Sequence, residues 1–382
     1  MHILDQRQLP FAVVVETVSS WQTMEAAIRE MHVRGAPLIG AAAAYGVWLA
    51  CLEAAAGLVG QFTARVETAM AELLAARPTA VNLRWALERQ RKALLDSGVL
   101  PAGNTGPHLL SPAAVAAAVQ NSRRVADAVA EDDVSICAAL GRHGADYLQQ
   151  LAARHPDRPL RVLTHCNAGW LATVDHGTVT ALIYEARRRG LDLQVWVDET
   201  RPRNQGAMTA WELSQNGVPN TVICDNTGGH LMQNGLVDVV IVGTDRTVRN
   251  GDTANKIGTY LKALAAHDND VPFFIALPSP SFDASLASGV GVIPIEERDP
   301  AEVLCLRGRP LAAAAGVQAA SDPGLQTIEL FAPGTKAANY GFDVTPARLI
   351  TGYITEHGIF DASGLADGLA AAAAATGAGH GR

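Results

Sequence analysis

Arg161-Val162-Leu163-Thr164-His165-Cys166-Asn167-Ala168-Gly169 is an apolar run that ends in a thiol and an amide and turns at glycine. Asp238-Val239-Val240-Ile241-Val242-Gly243-Thr244-Asp245-Arg246 repeats the plan with a carboxylate. The same rhythm extends through five short β-rich runs: Arg161–Cys166, Leu193–Asp198, Thr221–Asp225, Val237–Thr244 and Val271–Leu277. Helical patterns separate them over Thr178–Arg189, Thr209–Asn216, Gly228–Asn234 and Asn255–Ala266. Alternation of this kind predicts an α/β fold with a doubly wound parallel sheet, covered on both faces through right-handed crossovers. Ligands of such sheets bind at the carboxyl ends of the strands. Four runs end there in polar groups: His165-Cys166-Asn167, Asp198-Glu199-Thr200-Arg201, Asp225-Asn226 and Asp245-Arg246.

Working outward, the first part of the chain reads as helical after an extended piece at Phe11–Val18. Helices are expected over Ser20–Met31, Pro37–Ala56, Phe62–Ala76, Asn82–Ser97 and Pro112–Leu151, the last a long connecting helix. Gly98–Ser111, with its Gly and Pro residues, reads as a loop. The expected division is a helical N-terminal domain over 1–154, a sheet domain over 155–363 and an Ala/Gly-rich tail over 364–382 that frays. Ala36–Leu52 is uncharged, but a bilayer needs ~20 apolar residues. A buried helix entered through Pro37 explains it, so no membrane association is expected.

Hydrophobic residues make up 48% and charged residues 18% of the 382 residues, which is a globular profile. The formal net charge is -8 and no Lys/Arg-rich run occurs, which argues against nucleic acid as a partner. Five cysteines lie far apart without CxxC or zinc spacing, consistent with reduced thiols in a cytoplasm. The N-terminus reads as lacking the apolar core of a signal peptide. No GxGxxG follows the first expected strand, and His165, His176 and His230 show no ligand pattern. No cofactor and no metal are expected.

Cys166 is expected in a strand-to-helix turn, where backbone N–H groups and a helix N-terminus can stabilise anions. Asp245 follows a run that should lie centrally in the sheet. Phosphate recognition has to come from elsewhere, because GxxxxGK[ST] is absent. Arg34-Gly35-Ala36-Pro37 joins a guanidinium to a helix entry, and Arg77-Pro78-Thr79-Ala80-Val81-Asn82 repeats that logic. Asn255-Lys256 is expected to begin the helix after the Asp245 strand. Jointly these groups could hold a phosphorylated ligand.

At these motifs the sequence resembles the 5-methylthioribose-1-phosphate isomerases. The resemblance runs from about Gly35 to Phe360 and includes Arg34–Gly40, Arg77–Leu83, Thr164–Gly169 and Asp198–Pro202 with Gln205-Gly206-Ala207. It continues through Thr209-Ala210-Trp211-Glu212-Leu213, Asn255–Tyr260, Ile295–Arg298 and Phe342–Pro346. It implies a Rossmann-like C-terminal domain, a homodimer, and aldose–ketose isomerisation of a sugar 1-phosphate in methionine salvage. It further implies that Asp245 is the proton donor and Cys166 the second catalytic group. The implied substrate contacts are Arg34, Gly35, Ala36, Arg77, Gln205, Asn255 and Lys256.

The chain departs from the family at Asp225-Asn226-Thr227-Gly228-Gly229-His230, by one residue missing between Ala207 and Thr209, and at Asn339-Tyr340-Gly341-Phe342. These departures leave 5-deoxyribose 1-phosphate, or several 5-deoxy-pentose 1-phosphates, open as the substrate. A rival of another class shares the architecture: the non-catalytic regulatory subunits of the translation-initiation guanine-nucleotide exchange factor. Such a chain has no need of both Cys166 and Asp245.

Overall fold

The structure is a computed structural model that describes residues 1–77, 79–100, 110–310 and 324–377. Pro78, most of the expected loop at Gly98–Ser111 and the end of the tail lie outside the described residues. The chain opens with a small hairpin, β1 (His2–Leu4) against β2 (Val15–Thr17). A helical layer follows: α1 (Trp21–Arg29), α2 (Ala36–Ala55), α3 (Phe62–Ala76), α4 (Val81–Asp96) and α5 (Pro112–Ala152). All five lie within a residue or two of their expected positions.

Helix α2 is long and apolar enough to cross a membrane by length and composition. It is instead the centre of the helical layer. Ile39, Val47, Leu49 and Cys51 are buried in one cluster with Phe62, Leu73, Leu83 and Leu94 of α3 and α4. Helix α5 links two cores. Val115 and Ala118 join the cluster around α2, while Leu140, Leu148 and Leu151 pack on the sheet. Its glycines permit this close seat: a Cβ on Gly144 would stand 2.6 Å from Leu182.

The rest of the chain runs β3 (Leu160–Thr164), α6 (Val179–Arg188), β4 (Leu193–Asp198), α7 (Gln205–Gln215), β5 (Asn220–Ile223), α8 (Thr227–Gln233) and β6 (Val239–Val242). Next come β7 (Arg246–Val248), β8 (Thr253–Lys256), α9 (Thr259–Asp268), β9 (Phe273–Ala276) and β10 (Phe282–Asp283). The chain ends with α10 (Ala301–Leu304), β11 (Cys305–Gly308), β12 (Gln326–Glu329), β13 (Phe342–Thr345), β14 (Gly352–Thr355), β15 (Gly358–Phe360) and α11 (Leu365–Gly377).

Seven strands form the main sheet in the order β15-β14-β9-β6-β3-β4-β5, parallel except for the β14–β15 hairpin. Period-two alternation decides which helix covers which face. Val162, Val239 and Ile241 pack with α5 and α6, whereas Leu163, Val240 and Val242 pack with α8 and α9. Strands β3, β4 and β5 extend one way from the centre and β6, β9 and β14 the other. The order therefore reverses between β3 and β6, which is where doubly wound sheets bind ligands. A smaller sheet, β10-β7-β8-β13, stands beside this edge.

The tail differs from expectation. It does not fray from Gly364 but forms α11, because Leu365 and Leu369 are buried against the α9 face of the sheet. Apolar anchors four residues apart order a segment whose composition alone looks featureless.

One buried acid yields a stability prediction. Asp133 on α5 accepts from the Val174 N–H (2.6 Å) and from the Cys137 thiol (3.8 Å). Burial pushes its carboxyl up to about 6 from an ordinary 3.8. The neutral form is then favoured by folding, so its contribution is present below pH 4 and lost as pH rises through 6. Two pH units correspond to about 3 kcal/mol. Asp133→Asn keeps an acceptor for Val174 and cannot ionise. Its stability relative to wild type should rise by about that amount between pH 4 and pH 7. Urea unfolding across this range checks it, and a flat difference would remove Asp133 as the source.

Candidate active site

The loops after β3 and β6 carry the two reactive groups to the point where strand order reverses. Cys166 has a φ of 69°, in the left-handed region that a non-glycine residue enters only when its surroundings hold it there. The Thr200 hydroxyl accepts from its N–H (2.8 Å), and the Thr209 hydroxyl donates to its carbonyl (2.8 Å). Asp245 lies between β6 and β7, with its N–H donating to the Ala254 carbonyl (3.0 Å). The two loops meet closely: a Cβ on Gly243 would stand 3.0 Å from Ala168.

All nine expected site residues line one crevice: Cys166, Asp245, Arg34, Gly35, Ala36, Arg77, Gln205, Asn255 and Lys256. They come from both halves of the chain. Arg34, Gly35 and Ala36 sit where α2 begins. Gly35 has a φ of 97°, and a Cβ there would stand 2.5 Å from Ala172, so glycine is needed both for the turn and for the close approach. Arg77 ends α3 and pairs with Glu296 (3.3 Å). Gln205 opens α7.

Two expectations are corrected. Asn255 and Lys256 do not begin a helix. They end strand β8, paired antiparallel with β13 so that Lys256 stands opposite Phe342. Helix α9 starts later, at Thr259, and Asp343 caps it by accepting from the Gly258 and Tyr260 N–H groups. The second correction concerns the turn after Cys166. It leads into a short turn at Trp170–Ala172 and a loop, and α6 begins only at Val179. The N-terminus of α2 faces the crevice, and Thr178 at the start of α6 and Gln205 at the start of α7 also reach it.

Burial raises the Cys166 thiol above its ordinary value against the pull of Lys256 and Arg34, so it carries its proton at neutral pH. Burial likewise raises the Asp245 carboxyl, opposed by Lys256 and Arg77. A raised carboxyl is the direction that general-acid work requires. Burial lowers the Lys256 ammonium, with Cys166 and Asp245 acting to restore it. That ammonium donates to the Gly341 carbonyl (2.8 Å) and lies 4.7 Å from the centre of the Phe342 ring.

Arg34 is buried, and donates to the carbonyl and side-chain oxygen of Asn167. The Nε atoms of Arg34 and Arg77 and the Oε1 of Gln205 have no hydrogen-bond partner among the described residues. Guanidinium donors left over in a crevice fit an anionic ligand.

Sequence reasoning missed Asn167 and Glu212 as site residues. Asn167 had a signal in its place beside Cys166. Glu212 had one in the motif Thr209–Leu213, but its link to the Cys166 turn, 46 residues away, comes only through the packing of α7. His165, Asp198 and Asp225 also converge, with ligand atoms within 4.8 Å of one another. The Lys262 ammonium lies 3.1 Å from Asp198 and donates to the Asp225 carbonyl, which supplies positive charge to that cluster from within the chain. His165 itself donates to the Ile257 carbonyl (2.8 Å) and supports the β3 end.

Known proteins resemble this chain over nearly its whole length. The profile described as the Initiation factor 2 subunit family matches residues 32–362. A methylthioribose-1-phosphate isomerase of Rhodospirillum centenum is 51% identical over 362 residues, covering 94% of this chain and 88% of that protein. The crystal structure of 5-methylthioribose 1-phosphate isomerase from Pyrococcus horikoshii OT3 matches with a TM-score of 0.76 at 36% identity. That match covers 97% of this chain and 93% of the other. The translation initiation factor eIF-2B subunit delta from A. fulgidus matches with a TM-score of 0.71 at 33% identity, over 94% and 93%.

Proposed function

The chain belongs to the Initiation factor 2 subunit family, among its methylthioribose-1-phosphate isomerases, and from that premise we propose how its crevice performs the reaction. The protein is an aldose–ketose isomerase that converts 5-methylthioribose 1-phosphate to 5-methylthioribulose 1-phosphate, a step of methionine salvage. The observation that supports the assignment of roles is the meeting of Cys166 and Asp245 with Arg34, Arg77 and Lys256 in one crevice.

A sugar 1-phosphate has no free aldehyde, because its anomeric oxygen is esterified. The ring must open first. Asp245 gives its proton to the ring oxygen as the bond from that oxygen to C1 breaks, leaving a hydroxyl on C4. Hydrogen then moves from C2 to C1, and the proton of the C2 hydroxyl returns to the Asp245 carboxylate as C2 becomes the ketone. Cys166, held as a neutral thiol by burial, is better suited to polarise this transfer than to strip hydrogen from carbon. Arg34, Arg77, Lys256, Asn255, Gln205 and the α2 N-terminus at Gly35 and Ala36 hold the phosphate and orient the sugar.

The chain acts as a cytoplasmic homodimer that needs no cofactor. The non-catalytic reading is weaker, because a regulatory subunit has no use for a thiol and a carboxyl converging among cations. The test is a panel of 5-substituted ribose 1-phosphates given to the purified protein without added metal or nucleotide. 5-Methylthioribose 1-phosphate should be turned over with the highest kcat/KM. Preference for 5-deoxyribose 1-phosphate would change the substrate and leave the chemistry. Absence of turnover on every member would overturn the assignment. Arg77→Ala and Lys256→Ala should each raise KM, since a charge-assisted hydrogen bond is worth ~1.5–3 kcal/mol. Unchanged KM in both would move the phosphate elsewhere.

A further inference from the structure

Helix α7 approaches the crevice with Thr209 and Glu212 one turn apart, on the same face. Thr209 grips the Cys166 carbonyl, as described, and its hydroxyl accepts from the side-chain amide of Asn167 (3.0 Å). Glu212 Oε1 accepts from the same amide (3.3 Å) and from the Leu171 N–H (2.8 Å). Glu212 is 0% exposed, and its Oε2 has no hydrogen-bond partner among the described residues. That oxygen occupies the space where a side chain on Gly169 would begin: a Cβ there would stand 1.5 Å from it. No ion pair within 4 Å balances this carboxylate among the described residues, although the more distant Arg34 charge stabilises it. A carboxylate kept in such a place is costly unless its two acceptor bonds serve a purpose.

The purpose is visible in Asn167. With its Nδ2 claimed by Thr209 and Glu212, its Oδ1 must face Arg34, whose guanidinium donates to it. Turned round, the amide would set a donor against a donor. Resting on the reading of the crevice as a sugar-phosphate site, we infer that Glu212 is a positioning residue, acting through Asn167 to hold Arg34 toward the substrate phosphate. Burial pushes its carboxyl up to about 7, with the Leu171 N–H and Arg34 acting to lower it, so the clamp itself is electrostatically linked to the cation it positions.

Calorimetry with inorganic phosphate tests this without requiring turnover. The proteins are wild type, Glu212→Ala, Glu212→Gln, Asn167→Ala and the double variant Glu212→Ala with Asn167→Ala. Each Ala variant should weaken phosphate binding about tenfold or more, because charged hydrogen bonds are of that order. The double variant should be no more than about threefold worse than the weaker single, because two residues in one chain of contacts are not additive. Glu212→Gln, isosteric and still offering an acceptor at the Oε1 position, should recover to within about threefold of wild type. The same ordering should appear in KM, with kcat altered less.

Additive losses in the double variant, or a Glu212→Ala protein that binds phosphate as wild type does, would overturn the inference alone. A wild type that fails to bind phosphate would overturn the sugar-phosphate reading, and the inference with it. If Glu212→Ala does not fold, the cycle is run with Glu212→Met, which fills the same space without an acceptor, and its effect should vanish in the Asn167→Ala background. Persistence of that effect would again overturn the inference.

Discussion

Replacing Asp245 with Asn should lower kcat about 10²–10⁴-fold, the range contributed by a positioned general acid. The substitution keeps size and shape, and phosphate binding by Arg34, Arg77 and Lys256 should persist. What disappears is the proton for the ring oxygen. Because burial raises the Asp245 carboxyl, wild-type kcat depends on a form that is lost as pH rises through that raised value. The alkaline limb of the kcat profile should therefore be absent from the residual activity of the variant. A loss smaller than tenfold, or an unchanged limb, would remove Asp245 as the acid.

Cys166→Ala should cost a comparable factor, about 10²-fold or more. The left-handed φ of 69° makes this a clean comparison, since Cys and Ala meet the same backbone strain there. The difference between them is the thiol. Cys166→Ser should retain more activity than Cys166→Ala if the group polarises hydrogen transfer, and no more if a thiol is required as base. The crevice opens where the buried strand Val239–Val242 ends, with Ala36, Pro37, Ala168 and Phe342 among its apolar lining, and a site that excludes water limits exchange. Turnover in D₂O should thus leave C1 of the product nearly free of solvent deuterium. Heavy labelling at C1 would indicate a base open to water. Full activity in Cys166→Ala would end the case for this residue.

Local pattern carried a large share of this molecule. The β3 to β6 runs and the helices α1 to α5 are written in residue periodicity, which depends only on neighbours a few positions apart. So is the placement of Cys166 and Asp245 at strand ends, because a buried strand must become polar where it meets solvent. The burial of α2 also follows from local features, Pro37, Gly40 and Gly46 within an uncharged run.

Other features depend on pairing between distant segments. Lys256 looks helical beside Tyr260 and Leu261, but β13, more than 80 residues later, draws it into a strand through register with Phe342. The tail looks featureless until Leu365 and Leu369 meet the α9 face of the sheet. Strand order is of the same kind. Nothing within β3 or β6 says that they are neighbours, and yet their pairing, Val162 with Val239, is what brings a thiol and a carboxyl from 79 positions apart into one crevice. Glu212 is the extreme case. An acid on an amphipathic helix reads as a solvated charge, and only the seating of α7 against the Cys166 turn, with glycine at 169 leaving room, makes it a buried support for Asn167. Periodicity reports which face of an element is apolar, whereas the partner that covers that face is chosen by the packing of the whole chain.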